Sequence, residues 1–228
     1  MKAVLFDVMA LLYGPVGAEL VTEILASEGV HVTEAEVAEA LASLPPELIA
    51  FERAMRTEEE EVDWDRARWK PLLKNLGIPY PTDALLLRLC EASFGYDAFY
   101  SLYPETLAVL HALKERGVKL GVIGNWAPSL PRLIQAFELD AFIDLVLPSS
   151  VARVAKPDGL LFRQAAGALG APAAETIHVG PSLSLDVLGA SAAGLAPVWL
   201  NRTGIETGHE VLTITDLRGL LLLSGAPA

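Results

Sequence analysis

The chain has 228 residues and a formal net charge of −12 at pH 7, with 52% hydrophobic and 20% charged residues. This acidic balance opposes the phosphates of nucleic acids and of anionic membranes, so we expect neither as a partner. The apolar runs are interrupted, as at Asp7, or are too short for a bilayer, so no membrane-spanning helix is predicted. A single cysteine, Cys90, cannot form an internal disulfide, and a reducing, cytoplasmic location fits it best.

The first predicted element is the apolar run from Ala3 to Phe6. It lacks the alternation of apolar and polar residues that marks a half-exposed strand. A continuous apolar run of this length is typical of a strand that is buried on both faces of a sheet. Asp7 follows this strand directly.

A helical block is predicted next, between residues 16 and 100, because apolar residues recur there at helical spacing without strand signals. Its first apolar stripe ends at Gly29 and consists of Leu20, Val21, Ile24 and Leu25. Thr33 and Glu36 have the spacing of a capping box, and Pro45 and Pro46 interrupt the helix that this box begins. Further helices are predicted over residues 47–55, 65–76 and 83–94, and the acidic run 58–61 is interpreted as a solvated helix end or loop.

After the helical block, strand and helix signals alternate. The helix predicted from Pro104 to Arg116 has a proline at its start and Gly117 after its end, as helices prefer. Four further apolar runs predict strands over residues 119–123, 144–147, 176–179 and 196–200. Repeated strand–helix–strand units predict a parallel sheet.

Polar residues follow several of these strands. They are Asp7, Gly124-Asn125, Lys156-Pro157-Asp158, and Gly180-Pro181-Ser182 with Asp186 shortly after. Each has a structural explanation by itself, as a turn residue, a helix cap or an acid in the first turn of a helix. In a parallel sheet, however, the loops at the carboxyl ends of the strands converge, so the combination predicts a functional site there.

These segments resemble the motifs of the haloacid dehalogenase-like (HAD) hydrolase superfamily. The run Val4-Leu5-Phe6-Asp7-Val8 is similar to the first motif and Leu120 to Asn125 to the second. Lys156-Pro157-Asp158 is similar to the third motif, and His178 to Ala190 to the fourth. The resemblance implies an α/β fold, a Rossmann-like parallel sheet core with an inserted helical cap domain of the subfamily I type. The core is predicted over residues 1–15 and 101–228, and the cap over residues 16–100.

The resemblance also implies a chemistry. In family phosphatases the first aspartate, here Asp7, forms an aspartyl-phosphate, and the lysine, here Lys156, offsets the negative charge. Substrate would be bound at Gly124, Asn125 and Trp126. The family's Mg²⁺ would be held by Asp7, by the backbone carbonyl of Met9 and by Asp186.

The chain departs from the family pattern at four positions. Met9 replaces the aspartate that serves as general acid and base, and Pro181 replaces an acid of the fourth motif. Leu11 stands in place of a threonine or valine, and Gly124 in place of a serine or threonine hydroxyl. These changes predict a weak magnesium site and a phosphatase activity that is weak or lost.

Three functional interpretations follow. The first is a phosphomonoesterase acting on a small metabolite, and the second is a non-catalytic protein that binds a small ligand or a partner at the same predicted site. The third is a metal-independent 2-haloacid dehalogenase, in which the aspartate attacks carbon. The sequence predicts no zinc site, and it leaves the oligomeric state and the substrate open. His178 is interpreted as structural, and Asp158 as the cap of the helix after Lys156.

Overall fold

The chain divides into two compact units in the computed structural model, which describes residues 1–13, 18–43, 55–93, 100–204, 208 and 210–223. The sheet unit comprises Met1–Tyr13, Leu102–Trp126 and Leu130–Ala228, and the helical unit comprises Gly14–Ser101 and Ala127–Ser129. The core and cap boundaries drawn from the sequence stay predictions. They did not include the assignment of residues 127–129 to the helical unit.

The strands are, in chain order, β1 Ala3–Asp7, β2 Leu12–Tyr13, β3 Ser101–Leu102, β4 Lys119–Gly124, β5 Leu145–Pro148, β6 Thr176–Gly180, β7 Ala196–Leu200 and β8 Thr213–Ile214. Six of them form one sheet in the order β5-β4-β1-β6-β7-β8, and β2 pairs with β3. All five pairings within the larger sheet are parallel. The predicted α/β class with a Rossmann-like parallel sheet is confirmed.

The register of the central strands brings the predicted motifs together. β1 lies between β4 and β6, with Asp7 opposite Ile123 and Phe6 opposite Val179. The residues that follow β4 and β6 therefore flank Asp7 on its two sides. This is the edge of an open parallel sheet where ligands bind.

All five predicted strands are present, and each observed strand begins and ends within one residue of the predicted position. β1 is buried along its whole length, which explains why its sequence does not alternate. β8 was not predicted, because two residues carry no periodic signal. It pairs with β7 at the edge of the sheet.

The helices of the sheet unit cover the strands. They span Val8–Leu11, Thr106–Glu115, Leu130–Ala136, Ser149–Ala152, Gly159–Ala168, Leu188–Ala192 and Gly219–Leu223. The helix Gly159–Ala168 buries Leu161 and Phe162 in a cluster with Leu5 of β1 and Ile123 of β4. Burying each such side chain contributes about 1.5–3 kcal/mol, so this cluster fixes the helix after Lys156 against the strand that carries Asp7. Asp158 caps this helix, as predicted, by accepting a hydrogen bond from Leu160 N at 2.8 Å.

The helical unit consists, among its described residues, of the helices Ala18–Ser27, Glu34–Ala42, Glu58–Asn75 and Asp83–Ser93. The predicted stripe is confirmed, because Val21 and Leu25 lie in a buried cluster with Leu72 and Leu89. The predicted capping box is also present. Thr33 N donates to Glu36 Oε2 at 2.7 Å, and Glu36 N donates to Thr33 Oγ1 at 3.2 Å.

The acidic run 58–61, interpreted as a solvated helix end or loop, is a helix end, and all of its residues except Glu61 are exposed. It forms the first turn of Glu58–Asn75, which begins with a second capping box between Thr57 and Glu60. Acidic side chains favour a helix N-terminus because the backbone N–H groups there carry partial positive charge. Glu61 is buried, and its two carboxylate oxygens accept hydrogen bonds from Ser129 N at 2.9 Å and Ser129 Oγ at 2.6 Å.

Part of the predicted helix 47–55 and the interruption at Pro45–Pro46 lie outside the described residues. Of that helix only Met55 is described, and its side chain is buried. Among the helices that the structure describes, none combines the length and the apolar character needed to cross a membrane.

Candidate functional site

Asp7 is the last residue of β1 and the cap of the short helix that follows it. Its Oδ1 accepts a hydrogen bond from Met9 N at 2.8 Å, which fixes one side of the carboxylate. The residue is 8% exposed, so its second oxygen lies in a nearly enclosed environment. A carboxylate in such an environment requires a cationic or hydrogen-bonding partner.

Lys156 provides that partner. Its ammonium group donates to Asp7 Oδ2 and, at 2.6 Å, to Asp186 Oδ1. The lysine is 5% exposed, so three charged groups share a buried site. The two predicted catalytic residues, Asp7 and Lys156, are thus in direct contact, and both belong to the sheet unit.

Asn125 holds the backbone of Lys156 in place. The side-chain Nδ2 donates to Lys156 O at 3.0 Å, and Lys156 N donates to Asn125 Oδ1 at 2.7 Å. The amide therefore pairs with the lysine backbone much as a neighbouring strand would. The prediction that Asn125 binds substrate stays a prediction, and the structure shows that its side chain positions Lys156.

Asp186 lies in a π-helical turn, Leu183–Val187, which follows β6. Its Oδ2 accepts from Ser182 N at 2.9 Å, while its Oδ1 contacts Lys156 and, at 3.1 Å, His178 Nε2. Gly180 makes this approach possible, because a Cβ at that position would overlap the Asp186 carboxyl group. The fourth motif thus requires glycine at residue 180 for close packing.

His178, which was interpreted as structural, is buried and contacts Asp186 of the site. It is 1% exposed, and its ring meets Phe162 edge-on with 4.8 Å between the ring centres. Burial lowers the pKa of His178 despite the nearby Asp186, so the ring is neutral at neutral pH and donates Nε2–H to the carboxylate. Its Nδ1 is buried without a hydrogen-bond partner. The signal in the sequence was the strand period, which places residues 178 and 180 on the same face of β6.

The charges in the site stabilise one another. Burial lowers the pKa of Lys156, but the charges of Asp7 and Asp186 outweigh this effect, and the pKa is raised above its usual value. Burial raises the pKa of Asp186, but the hydrogen bond from His178 and the charge of Lys156 reduce it to about 2. Lys156 and Asp186 therefore form an ion pair across the ordinary pH range.

Arg202 supports the segment after Asp7 and was missed by the sequence analysis. It donates to the backbone carbonyl of Ala10 at 3.1 Å, pairs with Glu105 at 2.7 Å and lies 3.3 Å from the centre of the Tyr103 ring. Arg202 lies 192 positions from Ala10 in the chain. No local pattern in the sequence signals such a contact.

The four departures from the family pattern lie in different environments. Leu11 is fully buried and belongs to the core, and Met9 is half-buried. Gly124 is buried at the end of β4, where an added Cβ would meet Val8 at an ordinary 3.4 Å. The backbone carbonyl of Pro181 accepts a hydrogen bond from Trp199 Nε1 at 2.9 Å, and the Pro181 side chain offers no carboxylate. Trp126 is half-buried, and its backbone N donates to Ser149 Oγ at 3.1 Å.

The residues present do not fit a magnesium ion. Mg²⁺ requires octahedral coordination by oxygen atoms. The site offers the carboxylates of Asp7 and Asp186, and the Lys156 ammonium contacts both of them. Within the part of the chain that the structure describes, no three or more His, Cys, Asp or Glu side chains are grouped so that they could hold a metal ion.

Comparison with known proteins identifies the family. The chain is 40% identical over 139 residues to a phosphoserine phosphatase of Thermus thermophilus, covering 59% of this chain and 55% of that protein. It spans about half the length of the curated relatives it matches.

Solved structures share the fold over almost the whole chain. A HAD phosphatase from Thermococcus onnurineus is 25% identical with a TM-score of 0.67, covering 99% of this chain and 98% of its own. A 2-haloacid dehalogenase from Pseudomonas syringae is 24% identical with a TM-score of 0.73, covering 98% and 97% of the two chains, and it supports the fold alone. The family model described as haloacid dehalogenase-like hydrolase matches residues 1–194. The chain therefore belongs to the haloacid dehalogenase-like hydrolase family.

Proposed function

We propose that this chain is a slow phosphomonoesterase that transfers the phosphoryl group of a small metabolite to Asp7. The observation that carries the proposal is the contact of one buried ammonium, that of Lys156, with the carboxylates of both Asp7 and Asp186. This arrangement holds a carboxylate nucleophile next to a fixed positive charge. Both are features that phosphoryl transfer uses.

The first step would join an Asp7 carboxylate oxygen to phosphorus and break the bond between phosphorus and the alcohol oxygen. Lys156 would offset the negative charge on the transferred oxygens, and Asn125 would hold Lys156 in position. In the second step water would attack phosphorus, releasing inorganic phosphate and restoring the Asp7 carboxylate. Each step requires a proton to be delivered or removed.

Met9 is the reason that we expect turnover to be slow. Its side chain cannot transfer a proton, so the leaving alkoxide would take its proton from solvent, and the attacking water would lose its proton to solvent. General acid–base assistance contributes about 10²–10⁴ in rate. Aryl phosphates, whose phenolate leaves readily without protonation, should therefore be better substrates than alkyl phosphates.

The resemblance implies Mg²⁺, but the residues of the site do not fit this ion, and the proposed steps use only the residues of this chain. A small phosphorylated metabolite is the proposed substrate because relatives such as the Thermus phosphatase act on such compounds by name. The net charge of −12 supports a small-molecule partner over a nucleic acid or an anionic membrane. A cytoplasmic location is part of the proposal.

The test is hydrolysis of para-nitrophenyl phosphate and a panel of metabolite phosphates by the wild type and by Asp7→Asn. We expect slow wild-type turnover that Asp7→Asn abolishes, with a phosphoryl group trapped on Asp7 and detected by peptide mass spectrometry. Equal rates for the two proteins would assign the activity to a contaminant and contradict the proposal.

A second candidate is a non-catalytic protein that binds a small anion at the same residues of the sheet unit. The observation that favours it is the combination of Met9 and Pro181 with an intact contact between Asp7 and Lys156. This candidate would be supported if the protein hydrolysed none of the phosphate esters and if native mass spectrometry detected a co-purified ligand. Release of halide from 2-chloropropionate would instead identify a dehalogenase.

A further inference from the structure

One ammonium occupies the position between the two acidic groups of the site. Lys156 Nζ donates to Asp7 Oδ2 at the end of β1 and to Asp186 Oδ1 beyond the end of β6, and these strands are neighbours in the sheet. The side chain of Lys156 is 2% exposed. A dication that entered this position would have to displace a buried cation or be placed directly beside it.

The remaining oxygens of the two carboxylates also have donors. Asp7 Oδ1 accepts from Met9 N at 2.8 Å, and Asp186 Oδ2 accepts from Ser182 N at 2.9 Å. Asp186 Oδ1 contacts His178 as well as Lys156. Every carboxylate oxygen of the site is thus already hydrogen-bonded, so an ion that needs near-ideal octahedral geometry would have to bind beside these fixed donors or displace them.

Residue 181 cannot supply a further ligand from its side chain. Proline carries no carboxylate, and its carbonyl oxygen accepts from Trp199 Nε1 at 2.9 Å. The carboxylates of Asp7 and Asp186 are therefore held by hydrogen-bond donors and by one positive charge, that of Lys156. A magnesium ion would bring two positive charges to the same place.

We propose that the Lys156 ammonium permanently takes the place of a divalent cation, so that this chain does not bind Mg²⁺ between Asp7 and Asp186. The inference rests on the proposed function, because it takes these three residues as the reacting cluster. Its experiment measures metal binding and not turnover, so the two proposals can fail separately.

The experiment is a calorimetric titration of the metal-free full chain with Mg²⁺, together with thermal unfolding in Mg²⁺ and in EDTA. We expect the wild type to show no binding heat and no Mg²⁺-dependent change in Tm. Lys156→Met removes the ammonium and leaves two buried carboxylates without the cation that now contacts both of them. In that variant Tm should fall in EDTA and rise with the logarithm of the Mg²⁺ concentration, because the ion binds the folded state alone.

Lys114→Met is the matched control. Lys114 pairs with Asp144 at 2.8 Å, away from the cluster, so its loss removes a Lys–Asp pair without opening the proposed cation position. Its Tm should not respond to Mg²⁺. A Mg²⁺ response in this control equal to that of Lys156→Met would assign the effect to non-specific binding and overturn the inference.

The wild-type titration shows whether the chain binds Mg²⁺ even if Lys156→Met does not fold. Saturable Mg²⁺ binding to the wild type, lost in Asp186→Asn, would overturn the inference and leave the phosphatase proposal standing. Absence of Mg²⁺ binding supports the inference. Titration of the wild type with orthovanadate, with and without Mg²⁺, tests the phosphoryl site independently, and vanadate binding that requires Mg²⁺ would also overturn the inference.

Discussion

Asn125 and Lys156 are joined by two hydrogen bonds of opposite direction, from Asn125 Nδ2 to Lys156 O at 3.0 Å and from Lys156 N to Asn125 Oδ1 at 2.7 Å. The side chain from the end of one strand thus fixes the backbone of a residue in a distant loop. This contact determines where the ammonium of Lys156 lies, so its loss should affect the site more than the fold.

Replacing Asn125 by alanine is therefore expected to lower the free energy of unfolding by about 1 kcal/mol, the net value of a partly exposed hydrogen-bonded group. Orthovanadate affinity should fall by more than that energy implies, because Lys156 loses its position. Denaturant unfolding and vanadate titration measure the two effects. Asn75→Ala is the control, since Asn75 bonds Ser43 in the helical unit, and its vanadate affinity should equal that of the wild type.

Two glycine substitutions should have opposite effects on stability. Gly180→Ala places a Cβ against the Asp186 carboxyl group and should cost about 1–3 kcal/mol, as overpacking does. Gly167→Ala lies in the helix Gly159–Ala168 with nothing within 4 Å of the added Cβ, and it should stabilise the chain by up to about 1 kcal/mol. Urea unfolding of both variants checks the pair, and a neutral result at residue 180 would contradict the packing argument.

Stability should fall as the pH drops below about 6.5, because burial lowers the pKa of His178 from its model-peptide value of 6.5. The unfolded chain binds a proton at residue 178 in this range and the native chain does not, so each unit of pH lost costs up to about 1.4 kcal/mol. This contribution is absent above pH 6.5 and grows until the folded pKa is reached.

His178→Gln tests this dependence, because glutamine can still donate to Asp186 but does not titrate. The slope of unfolding free energy against pH, measured just below pH 6.5, should be smaller in the variant than in the wild type. Identical slopes would show that His178 does not resist protonation. At lower pH the loss of the Asp186 charge, with its pKa of about 2, should destabilise both proteins as the pH falls from 3.8 toward 2.

Met9→Asp combined with Pro181→Asp restores the two acids that the family pattern contains. With Asp7 and Lys156 in place, the turnover rate of alkyl phosphates should rise about 10²–10⁴-fold, the usual contribution of general acid–base assistance. Aryl phosphates should gain less, since their leaving group needs no proton. Adding Asp7→Asn to the same variant should remove the gain, and a gain that survives it would place the chemistry elsewhere.

Arg202→Met should loosen the segment that follows Asp7. The substitution removes the hydrogen bond to Ala10 O and the ion pair with Glu105, which together should lower the local opening free energy by about 1–3 kcal/mol. Hydrogen exchange of the amides of residues 8–11 measures this opening. Arg202→Lys keeps a positive charge, so its exchange should lie between those of the wild type and the methionine variant.

The sequence predicted the sheet well because its central strands are buried on both faces. Continuous apolar runs such as Ala3–Phe6 carry this signal locally, and the motif residues follow directly at the strand ends. The start of the helix at Glu58 was missed because four successive acids look like a solvated surface. Their favourable interaction with the helix N-terminus became visible only with the Thr57 cap.

The contacts that organise the site could not be predicted in the same way. His178 and Asp186 are 8 positions apart, and Arg202 and Ala10 are 192 apart. Periodicity shows which face a residue occupies, but it does not show which distant side chain meets it there. The family resemblance indicated that Asp7 and Lys156 act together, and it gave no reason to expect that Asn125 binds the lysine backbone.

Glu61 and Ser129 limit how this protein can be dissected. The chain passes between the sheet unit and the helical unit four times, since residues 127–129 join the helical unit separately from residues 14–101. A minimal sheet protein made by replacing residues 14–101 with a short linker would lack Glu61. Ser129 N–H and Oγ–H would then lose their acceptors. Such a truncated protein therefore needs a new hydrogen-bond acceptor for Ser129, or a redesigned loop at residue 129. Without one, we expect it to be less stable than the whole chain.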